Sequence, residues 1–293
     1  MSKAQIEAVA QMIAIPEEEP SVAEQRGAME QMAAAFPFQA QHSEAVEMGG
    51  VSCEWIWDDT ARDDVVLLYF HGGGYCLGSI ATHRNLIAAL AKAAGVRALA
   101  VDYRLAPENP FPAAVEDAVA VYTALLEQGR DPSKIAVAGD SAGGGLSLAL
   151  MLSARERDMP QPTCAALLSP WTDMRAAGES FQTRRDADPM IVRDRLLVMV
   201  GRYVGAASTA DPLVSPVLAD LSGLAPLLIH AGDAELLLSD STDLAKRAEA
   251  AGVDVEIKVW DDMVHVFQAF YPLVDEGRES IAEIGAFIRE RTA

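Results

Sequence analysis

Short continuous apolar runs alternate with longer amphipathic runs along most of this chain of 293 residues. Continuous apolar runs are typical of strands buried on both faces of a parallel sheet, and they predict strands at Val65–Phe70, Arg97–Tyr103, Lys134–Gly139, Cys164–Ser169, Pro226–Gly232 and Asp254–Trp260. Runs with the helical period predict helices near His83–Ala94, Pro112–Gln128, Ala142–Arg157, Ser239–Ala251 and Val274–Arg289. The alternation predicts an α/β fold, a mostly parallel central sheet flanked by helices.

Three regions depart from this alternation. The stretch "SEAVEMGGVSCEWIWDD" has short alternating runs on either side of Gly49-Gly50 and predicts an antiparallel hairpin at the sheet edge. Residues 1 to about 40 begin with apolar residues at helical spacing, Ile6, Val9 and Ile13, and residues of about 173–210 form a helical insertion between two strands. We expect these two regions to form a helical cap over the carboxyl ends of the strands, within one domain of residues 1–293.

Composition excludes some classes of protein. The net charge of −20 opposes binding to nucleic acid and to anionic lipid. The N-terminus has one lysine and a broken apolar pattern, so we expect neither a signal peptide nor a membrane span. Three widely spaced cysteines without a CxxC pair indicate a reducing compartment, and hence a cytoplasmic location.

The candidate chemistry centres on "IAVAGDSAGGGLSLAL", which runs from a predicted strand into a predicted helix. Gly139 and Gly143 lie two residues on either side of Ser141, where the chain must reverse so sharply that larger side chains would collide. This turn would hold Ser141 in a strained conformation with its hydroxyl above the sheet. The alternative is a serine that merely caps a helix, with glycines for close packing; the strand before it and the helix after it favour a nucleophile.

A serine nucleophile needs a base and an acid that orients the base. In this architecture the three residues occur along the chain in the order serine, acid, histidine. Two histidines follow Ser141. His230 lies inside a predicted strand, which favours burial, whereas His265 lies in a loop after the strand "VEIKVW". The position in the chain favours His265 as the base.

The acid should come from the loop after "PLLIHAG", where the candidates are Asp233, Glu235 and Asp240. Asp140 precedes the serine directly, so we expect it to brace the turn rather than to act on the base. The pattern alone leaves the choice among the three loop carboxylates open.

An anionic tetrahedral intermediate also needs hydrogen-bond donors. The amide of Ala142 is one candidate, and the loop His71–Gly74 after the strand "VVLLYF" supplies others. A phosphate-binding loop is the alternative, but no lysine follows the glycines in the required pattern. His71 and His83 lack the spacing of a metal site, so we expect His71 to brace the loop.

Together, the motifs "HGGGYCLGS", "VDYRLAPENPFPAAVEDA", "VAGDSAGGGL" and "DDMVHVF" resemble those of the hormone-sensitive-lipase-like esterases of the α/β-hydrolase fold, in the branch with G-D-S-A-G. The resemblance runs from about residue 65 to residue 293. It implies hydrolysis of short- to medium-chain carboxylic esters through an acyl-enzyme, without metal or cofactor, with a small-molecule ester as substrate. It also implies a helical cap and a homodimer formed through the last strand and helix.

Carried over by residue, the resemblance implies Ser141 as nucleophile, His265 as base, and the amides of Gly72, Gly73 and Ala142 as oxyanion donors. Many members have an aspartate in a D-P-L-x-D context, whereas this chain has "AGDAELLLSDS" with Glu235 at the matching position and Asp233 as the second choice. An amidase or deacetylase with the same triad and a non-catalytic binding protein of the same fold are the alternative functions. A lipase for long acyl chains fits the acidic composition less well.

Overall fold

Eight strands form one sheet in the described part of the chain, which comprises residues 2–12, 19–36, 38 and 40–293 of a computed structural model. In chain order the strands are β1 (His42–Met48), β2 (Val51–Trp57), β3 (Arg62–Phe70), β4 (Val96–Val101), β5 (Ile135–Asp140), β6 (Cys164–Leu168), β7 (Leu227–Gly232) and β8 (Val255–Trp260). Their order across the sheet is β1-β2-β4-β3-β5-β6-β7-β8.

β1 pairs antiparallel with β2, and β2 pairs antiparallel with β4, so the predicted hairpin around Gly49-Gly50 is confirmed. All remaining neighbours are parallel. Because parallel neighbours need crossover connections, the chain places helices between successive strands. The six apolar runs predicted as strands are β3 to β8, which confirms the mostly parallel α/β sheet.

The helices lie on both faces of the sheet. They are α1 (Ser2–Met12), α2 (Val22–Ala34), α3 (Ile80–Ala94), α4 (Ala113–Glu127), α5 (Ala142–Glu156), α6 (Ser180–Thr183), α7 (Arg193–Val204), α8 (Leu238–Ala250) and α9 (Asp275–Arg291). In β3, Leu68 belongs to the core that includes α4 and α5, whereas Leu67 belongs to the core that includes α3 and α9. Burial on both faces explains why this strand reads as an unbroken apolar run.

The two regions outside the alternation are only partly helical. Residues 173–210 contain α6 and α7, with turns elsewhere, because Gly178, Pro189 and Gly205 interrupt the helical pattern. At the N-terminus, Ile6 and Val9 of α1 pack with Trp260 at the end of β8. The third predicted position of this helix, Ile13, lies outside the described residues.

Glycines allow the close approach of backbones where β5 turns into α5. A Cβ atom on Gly143 would overlap the carbonyl oxygen of Phe70 at the end of β3, and one on Gly139 would overlap the carbonyl of Gly143. The predicted collision of larger side chains at this turn is therefore confirmed. The absence of side chains here lets the end of β3 lie directly against the start of α5.

Replacing Gly143 with Ala should lower the free energy of unfolding by at least about 1–3 kcal/mol, because backbone atoms must move to admit the methyl group. Urea unfolding followed by circular dichroism would measure it. Gly201→Ala in α7 is the matched control: its Cβ would have no neighbour within 4 Å, so better helix propensity should stabilise the protein by up to about 1 kcal/mol. Equal unfolding midpoints for the two variants would contradict the packing argument.

Candidate active site

Ser141 occupies the turn between β5 and α5 in a conformation that non-glycine residues seldom adopt. Its φ is 51° and its ψ is −119°, which costs roughly 1–3 kcal/mol of backbone strain. The turn is held by hydrogen bonds from the Ser141 amide to the Leu168 carbonyl at 2.9 Å and from the Trp171 amide to the Ser141 carbonyl at 2.8 Å. The strained conformation predicted for this serine is therefore present, and neighbouring backbone maintains it.

His265 and Glu235 meet at the carboxyl end of the sheet. Glu235 follows β7, His265 follows β8, and His265 Nδ1 lies 2.6 Å from Glu235 Oε2. The other carboxylate oxygen of Glu235 accepts the Gly232 amide at 3.2 Å. Both side chains are buried, Glu235 at 0% and His265 at 7% exposure, so this contact is a charge-assisted hydrogen bond shielded from water.

Two opposing effects act on the pKa of His265. Burial alone lowers it, but the hydrogen bond and the negative charge of Glu235, together with the charges of Asp188 and Asp140, outweigh burial and raise the pKa above its ordinary value. The imidazolium form is therefore stabilised, which is what a base needs when it accepts a proton during a reaction.

Ser169 connects the serine turn to the histidine loop. It directly follows β6, whose last residue Leu168 accepts the Ser141 amide, and its hydroxyl accepts the Val266 amide at 3.1 Å. Two consecutive residues, Leu168 and Ser169, thus accept the hydrogen bond that holds Ser141 and the one that holds the chain beside His265. The Ser141 hydroxyl itself makes no hydrogen bond within the described residues; in free enzymes such contacts commonly tighten only with substrate.

The remaining acid and base candidates lie elsewhere. Asp233 Oδ1 accepts the Asp262 amide at 2.8 Å. Asp240 Oδ1 accepts the amides of Thr172 and Asp173, both at 2.8 Å. His230 is buried within β7 as predicted, with Nδ1 2.7 Å from the Ser280 hydroxyl. Of the three carboxylates that the sequence left open, Glu235 is the one that contacts His265.

The structure of the glycine loop after β3 argues against Gly72 as one of the predicted oxyanion donors. The Gly72 amide donates to Asp140 Oδ1 at 3.0 Å, and an amide engaged in this way is not free to bind an oxyanion. Within the described residues, the amides of Gly73, Gly74 and Ala142 donate no hydrogen bond. Gly73 and Gly74 have φ values of 112° and 61°, conformations that favour glycine.

Asp140 braces this loop, as predicted. Its Oδ1 also accepts the Tyr69 hydroxyl at 2.7 Å, and its Oδ2 lies 3.4 Å from His83 Nε2. Although burial opposes ionisation, the charge of His83 and these hydrogen bonds lower the pKa of Asp140. His71 braces the loop as well, through Nδ1 at 2.7 Å from the Gly72 carbonyl.

A sequence profile of the α/β-hydrolase fold family matches residues 67–269. An acetyl-hydrolase of Streptomyces hygroscopicus is 43% identical over 249 residues, which cover 85% of this chain and 83% of that protein. A crystal structure of an esterase from the bacterial hormone-sensitive lipase family is 46% identical, covers 99% of both chains and superposes with a TM-score of 0.96. The chain belongs to the hormone-sensitive-lipase-like esterases of the α/β-hydrolase fold.

This esterase is accordingly a carboxylic ester hydrolase, since its relatives carry the names esterase and carboxylesterase across most of its length. Another structural relative, EstE5, was soaked with p-nitrophenyl butyrate; it is 42% identical, covers 99% of this chain and 98% of its own, and has a TM-score of 0.94. In the described part of the esterase, no helix is long and apolar enough to cross a membrane.

Sequence reasoning missed the contacts that bind separate loops together. The pairing of His83 with Asp140 and the bond between Ser169 and Val266 join residues far apart in the chain. No local pattern marks these residues; the position of Ser169 as the last residue of a predicted strand is the only signal that could have singled it out.

Burial next to the charges of Asp173 and Glu235 raises the pKa of Asp240 to about 8. A folded-state pKa above the unfolded value near 3.8 means that stability falls as the pH rises between these values, by about 1 kcal/mol per unit. Asp240→Asn keeps the oxygen that accepts both amides and removes the charge. We therefore expect the variant to gain stability over wild type between pH 5 and 8, measured by urea unfolding. Parallel pH profiles for the two proteins would contradict this assignment.

Proposed function

We propose that this esterase hydrolyses short- to medium-chain carboxylic esters through an acyl-enzyme, with Ser141 as nucleophile, His265 as general base and Glu235 as the orienting acid. The observation that carries the proposal is the buried hydrogen bond between His265 and Glu235. It lies at the carboxyl end of the sheet, as does the strained turn that holds Ser141. A buried pair of histidine and carboxylate beside a serine is the arrangement that activates a serine hydroxyl.

The reaction follows from the two ring nitrogens of His265. Glu235 accepts a hydrogen bond from Nδ1–H, which keeps the proton on Nδ1 and leaves Nε2 as the acceptor. Nε2 takes the hydroxyl proton of Ser141 while Oγ bonds to the ester carbonyl carbon. The imidazolium then gives that proton to the leaving alcohol, which departs and leaves an acyl-serine. His265 next takes a proton from water while the water oxygen bonds to the acyl carbon. The bond between that carbon and Oγ then breaks, the imidazolium returns its proton to Oγ, and the acid leaves with Ser141 restored.

We propose that the amides of Gly73, Gly74 and Ala142 bind the oxyanion, with Gly74 in place of Gly72. The support is that the Gly72 amide is engaged by Asp140 and that the other three have no acceptor within the described residues. Ala142 is also the first residue of α5, where the helix dipole favours negative charge.

We further propose that the N-terminal region and residues 173–210 act together as the cap over this site. In support, Arg202 of α7 pairs with Glu19 at 3.4 Å, and Arg26 of α2 donates to the Cys76 carbonyl at 2.8 Å, just beyond the glycine loop. A Cβ atom on Gly74 would lie 2.5 Å from the Met199 sulfur. Because α7 packs this closely on the loop, we expect a pocket that favours short acyl chains.

Two relatives bear on the acyl group. One is named an acetyl-hydrolase and another was soaked with a butyrate ester, which supports small acyl groups for this chain. The name acetyl-hydrolase does not specify an ester, so removal of an acetyl group from an amide by the same triad is the second candidate function.

We also propose that the esterase is a homodimer and that it is cytoplasmic. β8 is an edge strand whose Ile257 and Val259 are 36% and 39% exposed, which supports a homodimer formed through β8 and α9. The three cysteines are buried and free of disulfides, which supports a cytoplasmic location.

Hydrolysis of p-nitrophenyl esters from acetyl to palmitoyl should peak at the short chains and fall by about 10⁴-fold or more in Ser141→Ala, because the variant has no nucleophile. Acetanilide substrates assayed beside the esters separate the two candidate functions. The variant should unfold at the same urea concentration as wild type or higher. A folded Ser141→Ala protein that retained the wild-type rate would rule out the nucleophile.

Glu235→Gln should lower kcat by roughly 10²–10⁴-fold, because the amide can face His265 Nδ1 with a donor and favour the wrong tautomer. Asp233→Asn is the matched control two residues away. Its carboxylate contacts the Asp262 amide rather than the histidine, so we expect rates within about threefold of wild type. A larger loss in Asp233→Asn than in Glu235→Gln would transfer the role of the acid to Asp233.

A further inference from the structure

The loop that carries Glu235 is held from outside by Asp188, a residue of the inserted segment. Asp188 Oδ1 accepts the amides of Met190 and Ile191 at 2.8 Å and 2.9 Å, which fixes its own turn. Its other oxygen, Oδ2, accepts the Leu236 amide at 2.7 Å. One carboxylate therefore joins the inserted segment to the peptide that follows the acid.

Other contacts fasten the same two segments on either side of this bond. Arg184 Nε donates to the Asp233 carbonyl at 2.6 Å. Ser180 and Ser239 exchange hydrogen bonds, each amide donating to the other hydroxyl, at 2.8 Å and 3.0 Å. These bonds locate the loop as a whole, whereas the bond of Asp188 reaches the residue next to Glu235.

The segment around Asp188 also lies against the histidine loop. Met190 packs on the cluster that contains Met263 and Val264, the two residues before His265. The turn that Asp188 fixes thus contacts the acid loop through Asp188 and the apolar cluster of the histidine loop through Met190.

The negative charges acting on His265 come from three elements. They are Glu235 on the acid loop, Asp188 on the inserted segment and Asp140 at the end of β5, and each favours the imidazolium, whereas burial opposes it and the pKa of His265 is raised on balance. On the loop of His265 itself, Asp261 and Asp262 are exposed to solvent. A change at Asp188 alters this balance without altering the side chain of the direct partner Glu235.

We infer that Asp188 is a positioning residue for the hydrolysis: it fixes the peptide that follows Glu235 and places a second carboxylate near His265. The inference rests on the proposed function, because it needs Glu235 and His265 as acid and base. It gives the inserted segment a part in the chemistry beyond covering the site, since loss of one bond can displace the acid, and a displacement of about 1 Å can cost on the order of 10²-fold in rate.

Asp188→Asn tests the inference with little change in size. Oδ1 can still accept two amides, but the new amide group would face the Leu236 amide, donor against donor, and the charge is gone. We expect kcat for p-nitrophenyl butyrate to fall about 10–100-fold with KM within about threefold, and the acid limb of kcat/KM to move about 0.5 pH unit or more to lower pH. Asp186→Asn, an exposed carboxylate two residues away, removes the same charge and should change neither.

Asp188→Glu separates charge from geometry. It keeps the carboxylate on a longer arm, so kcat should fall while the acid limb stays within about 0.2 pH unit of wild type, since the charge on His265 persists. If Asp188→Asn fails to fold, Asp188→Glu still tests the inference. Its acid limb should stay in place because the charge persists, so an acid limb displaced to lower pH by the amount expected for loss of the charge would overturn the inference. Wild-type kcat in Asp188→Glu overturns it as well.

Titration of the His265 ring by NMR in the substrate-free protein distinguishes failure of this inference from failure of the proposed function. The titration midpoint should move to lower pH in Asp188→Asn and remain in Asp186→Asn. An inactive wild-type protein would overturn the proposed function, while the ring titration would still report on Asp188. A loss of kcat in Asp188→Asn with neither the acid limb nor the ring midpoint displaced would mean a purely structural role and overturn the inference.

Discussion

The site depends on a close approach of backbones at the turn between β5 and α5. Because residues 139 and 143 have no Cβ atoms, the end of β3 lies directly against the start of α5, and the glycine loop that continues from β3 reaches the serine. A methyl group at this crossing would separate β3, which leads into the loop of the proposed oxyanion donors, from α5, which follows the proposed nucleophile Ser141. The strain at Ser141 is the local cost of this convergence, and the hydrogen bonds to β6 and to the chain after it maintain it.

Charge, rather than apolar packing, organises the loops above the sheet. Two buried carboxylates, Glu235 and Asp140, each face a histidine and each also accept a backbone amide, one at the end of β7 and one in the glycine loop. A buried carboxylate that lacked either partner would be costly, so each of them specifies the position of two loops. Asp188 joins the inserted segment in the same way, since its carboxylate accepts amides from its own turn and from the loop of Glu235. The loops that carry the proposed catalytic groups are therefore held by directional bonds, which fix positions more narrowly than apolar contacts do.

The sheet, its order of helices and the serine turn could be predicted from the sequence because each depends on a local pattern. Apolar runs identify strands buried on both faces, and the glycine spacing identifies the turn. The choice of Glu235 over Asp233 and Asp240 rested on a family resemblance, since three carboxylates within eight residues differ only in how the loop folds. The engagement of the Gly72 amide could not be predicted, because it depends on the direction in which Asp140 points. Contacts such as that between Asp188 and Leu236 join distant segments and leave no periodic signal.

The position of Asp140 has a consequence for how precisely the site is maintained during thermal motion. Its side chain holds the glycine loop, which bears the proposed oxyanion donors, and its own backbone continues directly into Ser141. The proposed nucleophile and the proposed oxyanion donors are thus attached to the same residue, so a displacement of β5 carries both of them together. A small displacement of this strand then moves the site as a whole, while the distance between Ser141 Oγ and the amides of the glycine loop stays nearly constant.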